Sequence, residues 1–98
     1  RAGYAIADPS AEWVTVEHEW VDGTVNAATG RHRLSDFGPW VVSELTAGRT
    51  VVVEDVVNDP RIAGQSAPFM AIATRSVVTV PILRDGRLAA TVYLNHRE

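Results

Sequence analysis

The residues that could carry out chemistry are few, and they do not form a catalytic motif. His18, His32 and His96 lie far apart in the chain, whereas zinc ligands usually recur a few residues apart. The sequence GQSAP at 64–68 contains a serine but lacks the second glycine of a nucleophile elbow. His32 and Asp36 are close acid–base residues with no nucleophile beside them. The sequence therefore predicts a protein that regulates by binding and has no catalytic residues. An enzyme built on His32 and Asp36 is a third hypothesis.

Composition limits the size of the fold and the kinds of partner. The chain has 98 residues, 46% of them hydrophobic, which is enough for a single packed domain over 1–98. It has no cysteine, so disulfides, thiolate metal ligands and thioether-linked cofactors are excluded within these residues. The net charge is −3 and the nine basic residues, all arginine, are scattered, which argues against a nucleic-acid partner.

The sequence also carries expectations about location. No apolar run approaches the ~20 residues that span a bilayer, so we expect no membrane contact by this segment and a cytoplasmic location. The chain opens with Arg1 rather than with a methionine and a charged leader region. We therefore expect no signal peptide, and we expect these residues to be the core fragment of a longer polypeptide.

Alternating apolar residues predict a hairpin at the start of the chain. Residues 1–8 are typical of a strand, and the sequence Asp8-Pro9-Ser10 is typical of a turn. Residues 12–21 alternate with period two, which predicts a second strand. The alternation puts Val14, Val16, His18 and Trp20 on one face, and Trp13, Thr15, Glu17 and Glu19 on the other.

The middle of the chain predicts two helices separated by a strand. Residues 22–37 are typical of a loop, and Pro39 suits the first turn of a helix that runs to about Ala47 and stops at Gly48, with Asp36 as a cap or near-cap. Residues 49–57 are β-branched and predict a strand. Asp59 and Pro60 repeat the helix-start signal, so a weaker helix is expected over roughly 60–73.

The last two strands, at 75–83 and 87–96, can pair in two registers. A two-residue Asp85-Gly86 loop pairs Arg84 with Arg87 and mixes the faces. A three-residue loop pairs Leu83 with Arg87, with a bulge at Gly86, and sorts the apolar side chains to one face. We predict the three-residue loop. Its pairs are Ile82 with Leu88, Val80 with Ala90 and Val78 with Val92 on the apolar face, and Pro81 with Ala89, Thr79 with Thr91 and Val77 with Tyr93 on the other.

That register gives the sheet two different faces. The even-numbered face is apolar and must be covered, whereas the odd-numbered face carries hydroxyls, Tyr93 and Asn95. Short helices and loops over the odd-numbered face would enclose a pocket with a few convergent polar groups. Buried polar groups need partners, so Tyr93 and Asn95 are candidate ligand contacts.

A series of short motifs resembles a GAF domain. They are RTVVVEDV at 49–56, DPR at 59–61, TRSVVTVPI at 74–82 and DGRL at 85–88, and the resemblance covers essentially the whole chain. It is nearest to the GAF modules of bacterial sensor histidine kinases. It implies an α/β (α+β) fold with a central antiparallel sheet of about six strands and short helices on the pocket face. A PAS domain is the competing fold, but its helices cluster between the second and third strands.

The resemblance also implies that helices before and after the core cover the other face of the sheet. We expect those flanking N- and C-terminal helices to be missing from the chain, so that either segments outside it or a partner chain would cover that face. We therefore expect a bare apolar face formed by Val78, Val80, Ile82, Val92 and Leu94.

The predicted pocket residues come partly from a resemblance to phytochrome GAF domains. The sequence SDFGP at 35–39 is similar to their Ser-Asp-Ile-Pro stretch with one residue inserted, which implies that Asp36 and Phe37 line the pocket. Thr79 and Val77 match serines on a neighbouring strand, and Asn95 matches a pocket histidine. Asp36 is equally a candidate helix cap. The rest of the predicted set is Trp40, Phe69, Thr91 and Tyr93.

The same comparison limits the ligand. The lack of cysteine excludes covalent bilin attachment, and the lack of lysine removes the Asn-Lys-x-x-Phe signature of cyclic-nucleotide GAF domains. No metal and no certain cofactor is expected. The leading interpretation is a non-catalytic sensory module of a bacterial two-component signalling protein. It would bind an unknown small molecule non-covalently, act with flanking signalling domains and form a homodimer. The alternative is a degenerate GAF domain that is a ligand-free dimerisation scaffold.

Overall fold

The computed structural model describes residues 1–20, 30–62, 66–71 and 74–96. The elements in chain order are β1 (Ala2–Ala7), β2 (Trp13–Trp20), β3 (Gly30–Arg33), a 3₁₀ turn (Leu34–Phe37), α1 (Pro39–Thr46), β4 (Val51–Val53), α2 (Ala67–Ala71), β5 (Ser76–Arg84) and β6 (Arg87–His96). The strands form one sheet in the order β3-β2-β1-β6-β5-β4, with antiparallel neighbours throughout. The expected antiparallel α+β fold with short helices is confirmed.

The hairpin of β1 and β2 contains a bulge that the alternating pattern does not reveal. Tyr4 pairs with His18, but the next residue, Ala5, pairs with Val16, so Glu17 is the extra residue of β2. One extra residue reverses the face to which the following side chains point. The prediction that β2 alternates without interruption is therefore wrong at this point.

The bulge redistributes the side chains of β2. Val14 and Val16 are buried on the face that packs against the helices, which we call the inner face. Glu19 shares that face, whereas His18 and Trp20 lie exposed on the opposite, outer face. The sequence analysis had placed His18 and Trp20 with the two valines and Glu19 on the other side.

The structure confirms the first predicted helix and corrects its cap. Helix α1 starts at Pro39, and its N-cap is Gly38, without a side-chain hydrogen bond. Asp36 lies one element earlier, exposed in the 3₁₀ turn, so it does not cap α1. The predicted loop at 22–37 contains a short strand, β3, at its end. The part of that loop over 21–29 lies outside the described residues.

The second helix is shorter than predicted. The carboxylate of Asp59 accepts a 2.8 Å hydrogen bond from the backbone N–H of Arg61 and also bonds its side chain, which closes a local turn rather than starting a helix. Helix α2 spans five residues, with Pro68 in its first turn. Residues 63–65 and 72–73 of the predicted helix are outside the described ranges. The predicted strand 49–57 is reduced to β4.

The turn between β5 and β6 has two residues, not the predicted three. Arg84 pairs with Arg87, and both Asp85 (φ 54°) and Gly86 (φ 76°) have positive φ, as a type I′ turn requires. The register then shifts between Ile82 and Leu83. The turn chemistry therefore determines the first two pairs, and the bulge residue, Ala89, lies three residues after the predicted position at Gly86.

The bulge restores the separation of faces that the sequence analysis expected. The observed pairs are Ile82 with Ala90, Pro81 with Thr91, Val80 with Val92, Thr79 with Tyr93, Val78 with Leu94 and Val77 with Asn95. Val80 and Val92 share a face as predicted, but every predicted partner is wrong by one or two residues. Leu88 is also misplaced by the prediction, since it pairs with Leu83 and is buried in the core.

The two faces of the sheet differ sharply in burial. Inner-face residues pack with α1, α2 and the 3₁₀ turn into one core. On the outer face, arginine guanidinium groups cover the ring of Trp13 at 4.2 Å and 4.8 Å. The large apolar residues exposed on the rest of this face are Tyr4, Ile6, Trp20, Val52, Val78, Val80, Ile82, Val92 and Leu94. The bare face expected from the sequence is present in the described part of the chain.

Candidate ligand-binding cavity

A cavity of about 90 Å³ lies between the inner face of the sheet and the short helices. Its lining residues are Ala5, Val14, Val16, His32, Leu34, Phe37, Val41, Leu45, Phe69, Thr74, Val77, Thr79, Thr91, Tyr93 and Asn95. Most of this wall is apolar, and the polar side chains lie on β5 and β6, at Thr74 two residues before β5, and at His32 on β3. Such an arrangement, an apolar chamber with a few polar groups, is typical of small-molecule sites.

The helices supply the apolar side of the cavity. Val41 and Leu45 lie one helical turn apart on α1 and are both buried, as the spacing of a core-facing helical stripe requires. Phe37 and Phe69 meet edge to face, with ring centroids 4.9 Å apart. This contact packs the 3₁₀ turn against α2 at the cavity.

The strands supply the hydroxyl side. Thr79 lies directly opposite Tyr93, and Thr91 lies opposite Pro81 at the next inner-face position. Thr91 is only 5% exposed. Thr79 is half-buried. Within the described ranges neither threonine hydroxyl has a hydrogen-bond partner, and neither oxygen is a buried unpartnered atom. Both hydroxyls are therefore open enough to bond a molecule in the cavity.

The Tyr93 side chain crosses the neighbouring strand β1 because the β1 residue beneath it is a glycine. Gly3 on β1 is paired with Tyr93 on one side and with Glu19 on the other. A Cβ atom at Gly3 would lie 2.7 Å from the Tyr93 hydroxyl oxygen, so no larger residue fits without a shift. The Tyr93 hydroxyl passes over Gly3 and donates a hydrogen bond to the Glu19 carboxylate.

Glu19 belongs to a buried polar cluster behind the cavity. Its side chain is fully buried, and its Oε2 lies 3.7 Å from Nε of Arg1. Nη2 of Arg1 donates a 2.6 Å hydrogen bond to Oγ1 of Thr74. With the Asn95 amide turned so that its oxygen faces this group, that oxygen accepts from both Thr74 and Arg1. Burial, and then the bonded Glu19 carboxylate, raise the pKa of Tyr93 well above its usual range, so its hydroxyl keeps its proton.

The predicted site residues separate into two groups. Seven of the nine line the cavity: Phe37, Phe69, Val77, Thr79, Thr91, Tyr93 and Asn95. Asp36 and Trp40 are not among the lining residues. Asp36 is exposed, and the ring of Trp40 packs 4.4 Å beneath the guanidinium group of Arg61.

Sequence reasoning missed three polar groups at the cavity. Glu19 was assigned to the wrong face because the bulge at Glu17 leaves no trace in the alternation of residue types. Thr74 was included in a motif but was not considered as a pocket residue. His32, treated as a candidate acid–base residue, lies on β3 and lines the cavity, with its ring 6.5 Å from that of Phe37.

The described ranges contain no group of three or more histidine, cysteine, aspartate or glutamate side chains that could hold a metal ion. Within the same ranges, no helix has the length and apolar character needed to cross a membrane.

These features define an α+β domain with a small cavity between an antiparallel sheet and short helices. The chain belongs to the GAF domain family, whose model matches residues 3–98. No match was found among curated protein sequences.

Solved structures share this fold at low sequence identity. The phycocyanobilin-bound GAF domain of a cyanobacterial phytochrome has a TM-score of 0.78 and 15% identity. A methyl-accepting chemotaxis protein, residues 122 to 287, has a TM-score of 0.71 and 19% identity. The free methionine-R-sulfoxide reductase of Neisseria meningitidis, solved with its substrate, has a TM-score of 0.65 and 20% identity. Each match covers 99% of this chain, but the chain spans only 60%, 61% and 52% of those three chains respectively.

Proposed function

We propose that this GAF domain is the sensory module of a multidomain signalling protein and that it binds a small molecule non-covalently in the cavity. It acts by binding, and any catalysis belongs to other domains. The output we propose is a bacterial histidine kinase of a two-component system, cytoplasmic and homodimeric. Membership of the GAF family and the fold shared with a phytochrome and a chemotaxis protein support the sensory role.

The observation that carries the proposal is the pair of open threonine hydroxyls in a mostly apolar wall. Thr79 and Thr91 line the cavity without a hydrogen-bond partner in the described ranges. Open hydroxyls in a mostly apolar wall can orient a bound molecule.

The ligand we propose is much smaller than a bilin. A cavity of about 90 Å³ is well below the roughly 300–1,000 Å³ of pockets for drug-sized ligands. The chain also lacks the cysteine that covalent attachment would need. A bilin fills the GAF domain of the phytochrome neighbour, and we do not extend that ligand to this chain.

The signal would travel through the short elements that close the cavity. Phe37 and Phe69 join the 3₁₀ turn to α2 directly at the cavity wall. A ligand that fits one packing of these two rings better than another shifts the population toward that packing, by as much as its affinities for the two states differ. Flanking segments would carry the shift to the output domain.

Two valines on β5 give a matched test of cavity binding. Val77 faces the cavity, and Val78, the next residue, faces outward. We expect native mass spectrometry, and NMR screening with a library of small polar metabolites, to detect a ligand for the wild-type protein. Val77→Phe, or the milder Val77→Leu, should abolish or weaken that binding while the protein stays folded. Val78→Phe should leave it unchanged. An empty protein that binds nothing in the library contradicts the proposal.

The exposed outer face favours the second candidate, a ligand-free dimerisation scaffold. Leu94 is 61% exposed in the middle of that face, next to Val92, and apolar patches of this kind mark interaction surfaces. Both functions allow a dimer, which light scattering detects and which Leu94→Asp should dissociate if the outer face forms it. Ligand binding separates the two functions: a scaffold binds nothing in the cavity, whereas the sensory proposal requires binding that Val77→Phe removes.

A further inference from the structure

A buried arginine at the entry to β1 is bonded to the polar wall of the cavity. The side chain of Arg1 is 3% exposed, and its Nε lies 3.7 Å from the Glu19 carboxylate. Its Nη2 donates a 2.6 Å hydrogen bond to the Thr74 hydroxyl oxygen, and Glu19 accepts a hydrogen bond from Tyr93. Thr74 and Tyr93 both line the cavity. The Arg1 guanidinium group therefore supports two polar side chains of the wall, one directly and one through Glu19.

The backbone at Arg1 is joined to β6 beside the same wall. The main-chain nitrogen of Arg1 donates to the Asn95 carbonyl oxygen at 3.0 Å, and the Asn95 N–H donates to the Arg1 carbonyl oxygen at 2.8 Å. Asn95 also lines the cavity. The chain thus enters the sheet at a residue whose backbone and side chain are both bonded to cavity residues.

The same cluster reaches the helix that closes the cavity. Thr74 is fully buried, and its backbone N–H donates a 2.9 Å hydrogen bond to the Phe69 carbonyl oxygen on α2. Phe69 packs against Phe37 in the cavity wall. Consecutive hydrogen bonds, from Arg1 to Thr74 and from Thr74 to Phe69, therefore connect the entry to β1 with α2. A displacement at either end changes the support of the other.

The chemistry of the cluster favours two discrete positions for Arg1. A guanidinium group has only donors and an ionised carboxylate has only acceptors. When Arg1 leaves, the fully buried Glu19 carboxylate loses its counter-charge, which is unfavourable until water reaches it. Partly withdrawn positions are therefore less stable than either Arg1 seated as in the structure or Arg1 withdrawn with water at Glu19. Coupling between two sites requires an element with two such arrangements.

We propose that Arg1 is a positioning residue that couples occupancy of the cavity to the position of the chain segment that enters β1. With Arg1 seated, Thr74, Tyr93 and α2 hold the positions that bind the ligand, and with Arg1 withdrawn the ligand binds more weakly. Because such coupling is reciprocal, a bound ligand holds Arg1 in place. In a protein that extends beyond these 98 residues, movement of the segment before Arg1 regulates binding. This inference rests on the proposed function, since it takes the cavity to be the ligand site.

Hydrogen exchange in the wild-type protein, with xenon as the cavity probe, tests the coupling. Xenon enters small apolar cavities, and the shifts of cavity amides give its dissociation constant. A bound molecule slows the exchange of an amide only if the opening that exposes this amide also disrupts the site. With xenon at about three times its dissociation constant, the Asn95 N–H should exchange about fourfold more slowly. The Asp8 N–H, bonded to Trp13 at the other end of β1, is the control and should not change.

Variants test the coupling from the other end. Arg1→Met should speed the exchange of the Thr74 N–H relative to the slowest core amides and should weaken xenon binding about fivefold or more. Arg1→Lys keeps the charge but not the planar fork, so it should have an intermediate effect, and it replaces Arg1→Met if that variant does not fold. Arg49→Met is the matched control, since Arg49 pairs with Glu44 at an exposed position, and it should change neither measurement.

The outcomes separate the coupling from the function beneath it. If xenon binds and Asn95 exchange is unchanged, or if Asn95 exchanges as slowly as the slowest core amides, the coupling is wrong and the cavity remains a candidate ligand site. If xenon does not bind, Thr74 exchange in the Arg1 variants decides: faster exchange supports the coupling, and unchanged exchange overturns it. If these responses occur but the metabolite library yields no ligand, the proposed function is wrong and the link between Arg1 and the cavity stands.

Discussion

The inner and outer faces of one sheet are built from similar residues but have different roles. Both faces are rich in valine, and neighbours such as Val77 and Val78 differ only in the side to which they point. The inner face encloses a core, a cavity and a buried ion pair, whereas the outer face leaves its apolar side chains in solvent. Composition therefore does not distinguish the two faces. They differ because of where the bulges lie and which elements pack against each side.

The largest expected effect comes from the one carboxylate that a bulge turns inward. Glu19→Ala removes the partner of both Arg1 and Tyr93. Breaking a buried pair by removing one member costs roughly 3–5 kcal/mol, so urea denaturation should show a loss of that size. Glu17→Ala, at the exposed bulge residue of the same strand, should change stability by no more than about 0.5 kcal/mol.

This pair of glutamates tests the assignment of faces directly. Equal losses for the two variants would mean that β2 alternates without a bulge, as its sequence alone indicates. Glu19→Gln keeps an acceptor for Tyr93 and should cost less than Glu19→Ala.

A pair of leucines measures the difference between the faces for apolar side chains. Leu45 on α1 is 2% exposed within the core, and Leu94 on β6 is 61% exposed. Leu45→Ala should destabilise by roughly 2–5 kcal/mol. Leu94→Ala should stay within about 0.5 kcal/mol of wild type, as measured by thermal or urea unfolding.

The same pair shows whether the outer face is covered in a longer protein. If Leu94→Ala costs as much as Leu45→Ala in a protein that extends beyond these 98 residues, additional segments or a partner chain bury the outer face there. A small cost in both contexts would mean that the face stays exposed.

The sequence predicted the overall sheet because strand patterns and the motifs of β4 to β6 are local signals. The separation of faces in the last hairpin was also predictable, since Val80 and Val92 had to share a side. The two-residue turn between β5 and β6 was not predictable, because two requirements conflicted. Positive φ at Asp85 and Gly86 favours a two-residue turn, whereas sorting the side chains favours another register. The chain meets both requirements with a bulge, and a bulge has no signature in residue types.

The candidate site was predictable to the extent that it lies on regular strands. Thr79, Thr91 and Tyr93 follow from period-two alternation within β5 and β6. Asp36 does not line the cavity, because the prediction carried it over from a loop with one inserted residue. Trp40 was predicted from its place in the first turn after Pro39, and it packs against Arg61 instead. Glu19 could not be placed, since its orientation depends on a backbone irregularity elsewhere in its strand.

The smallest expected effect concerns a second ion pair, which is less buried than Arg1–Glu19. It tests whether Arg1–Glu19 stabilises the fold because it is buried or through pairing alone. Asp55 and Arg75 form a two-point contact, with both nitrogen–oxygen distances 3.2 Å, but their side chains are 34% and 40% exposed, whereas Glu19 is fully buried. Hydrogen bonds from Arg75, and then from Asn58, lower the pKa of Asp55 from 3.8 to about 2. A carboxyl group whose pKa is lowered by folding stabilises the protein above its unfolded pKa, and that contribution is lost as the pH falls through the folded value.

The stabilisation by Asp55 should therefore be complete above about pH 4 and disappear toward pH 2. The measurement is the difference in urea midpoint between wild type and Asp55→Asn at pH 5 and at pH 2.5, which should be small at pH 5 and shrink further at pH 2.5. Glu54→Gln, at the exposed neighbouring residue, controls for the change in net charge. Exposed pairs contribute little because water screens them, so we expect Asp55→Asn to cost much less stability than Glu19→Ala. If the two losses were equal, pairing alone, and not burial, would determine how much an ion pair stabilises this domain.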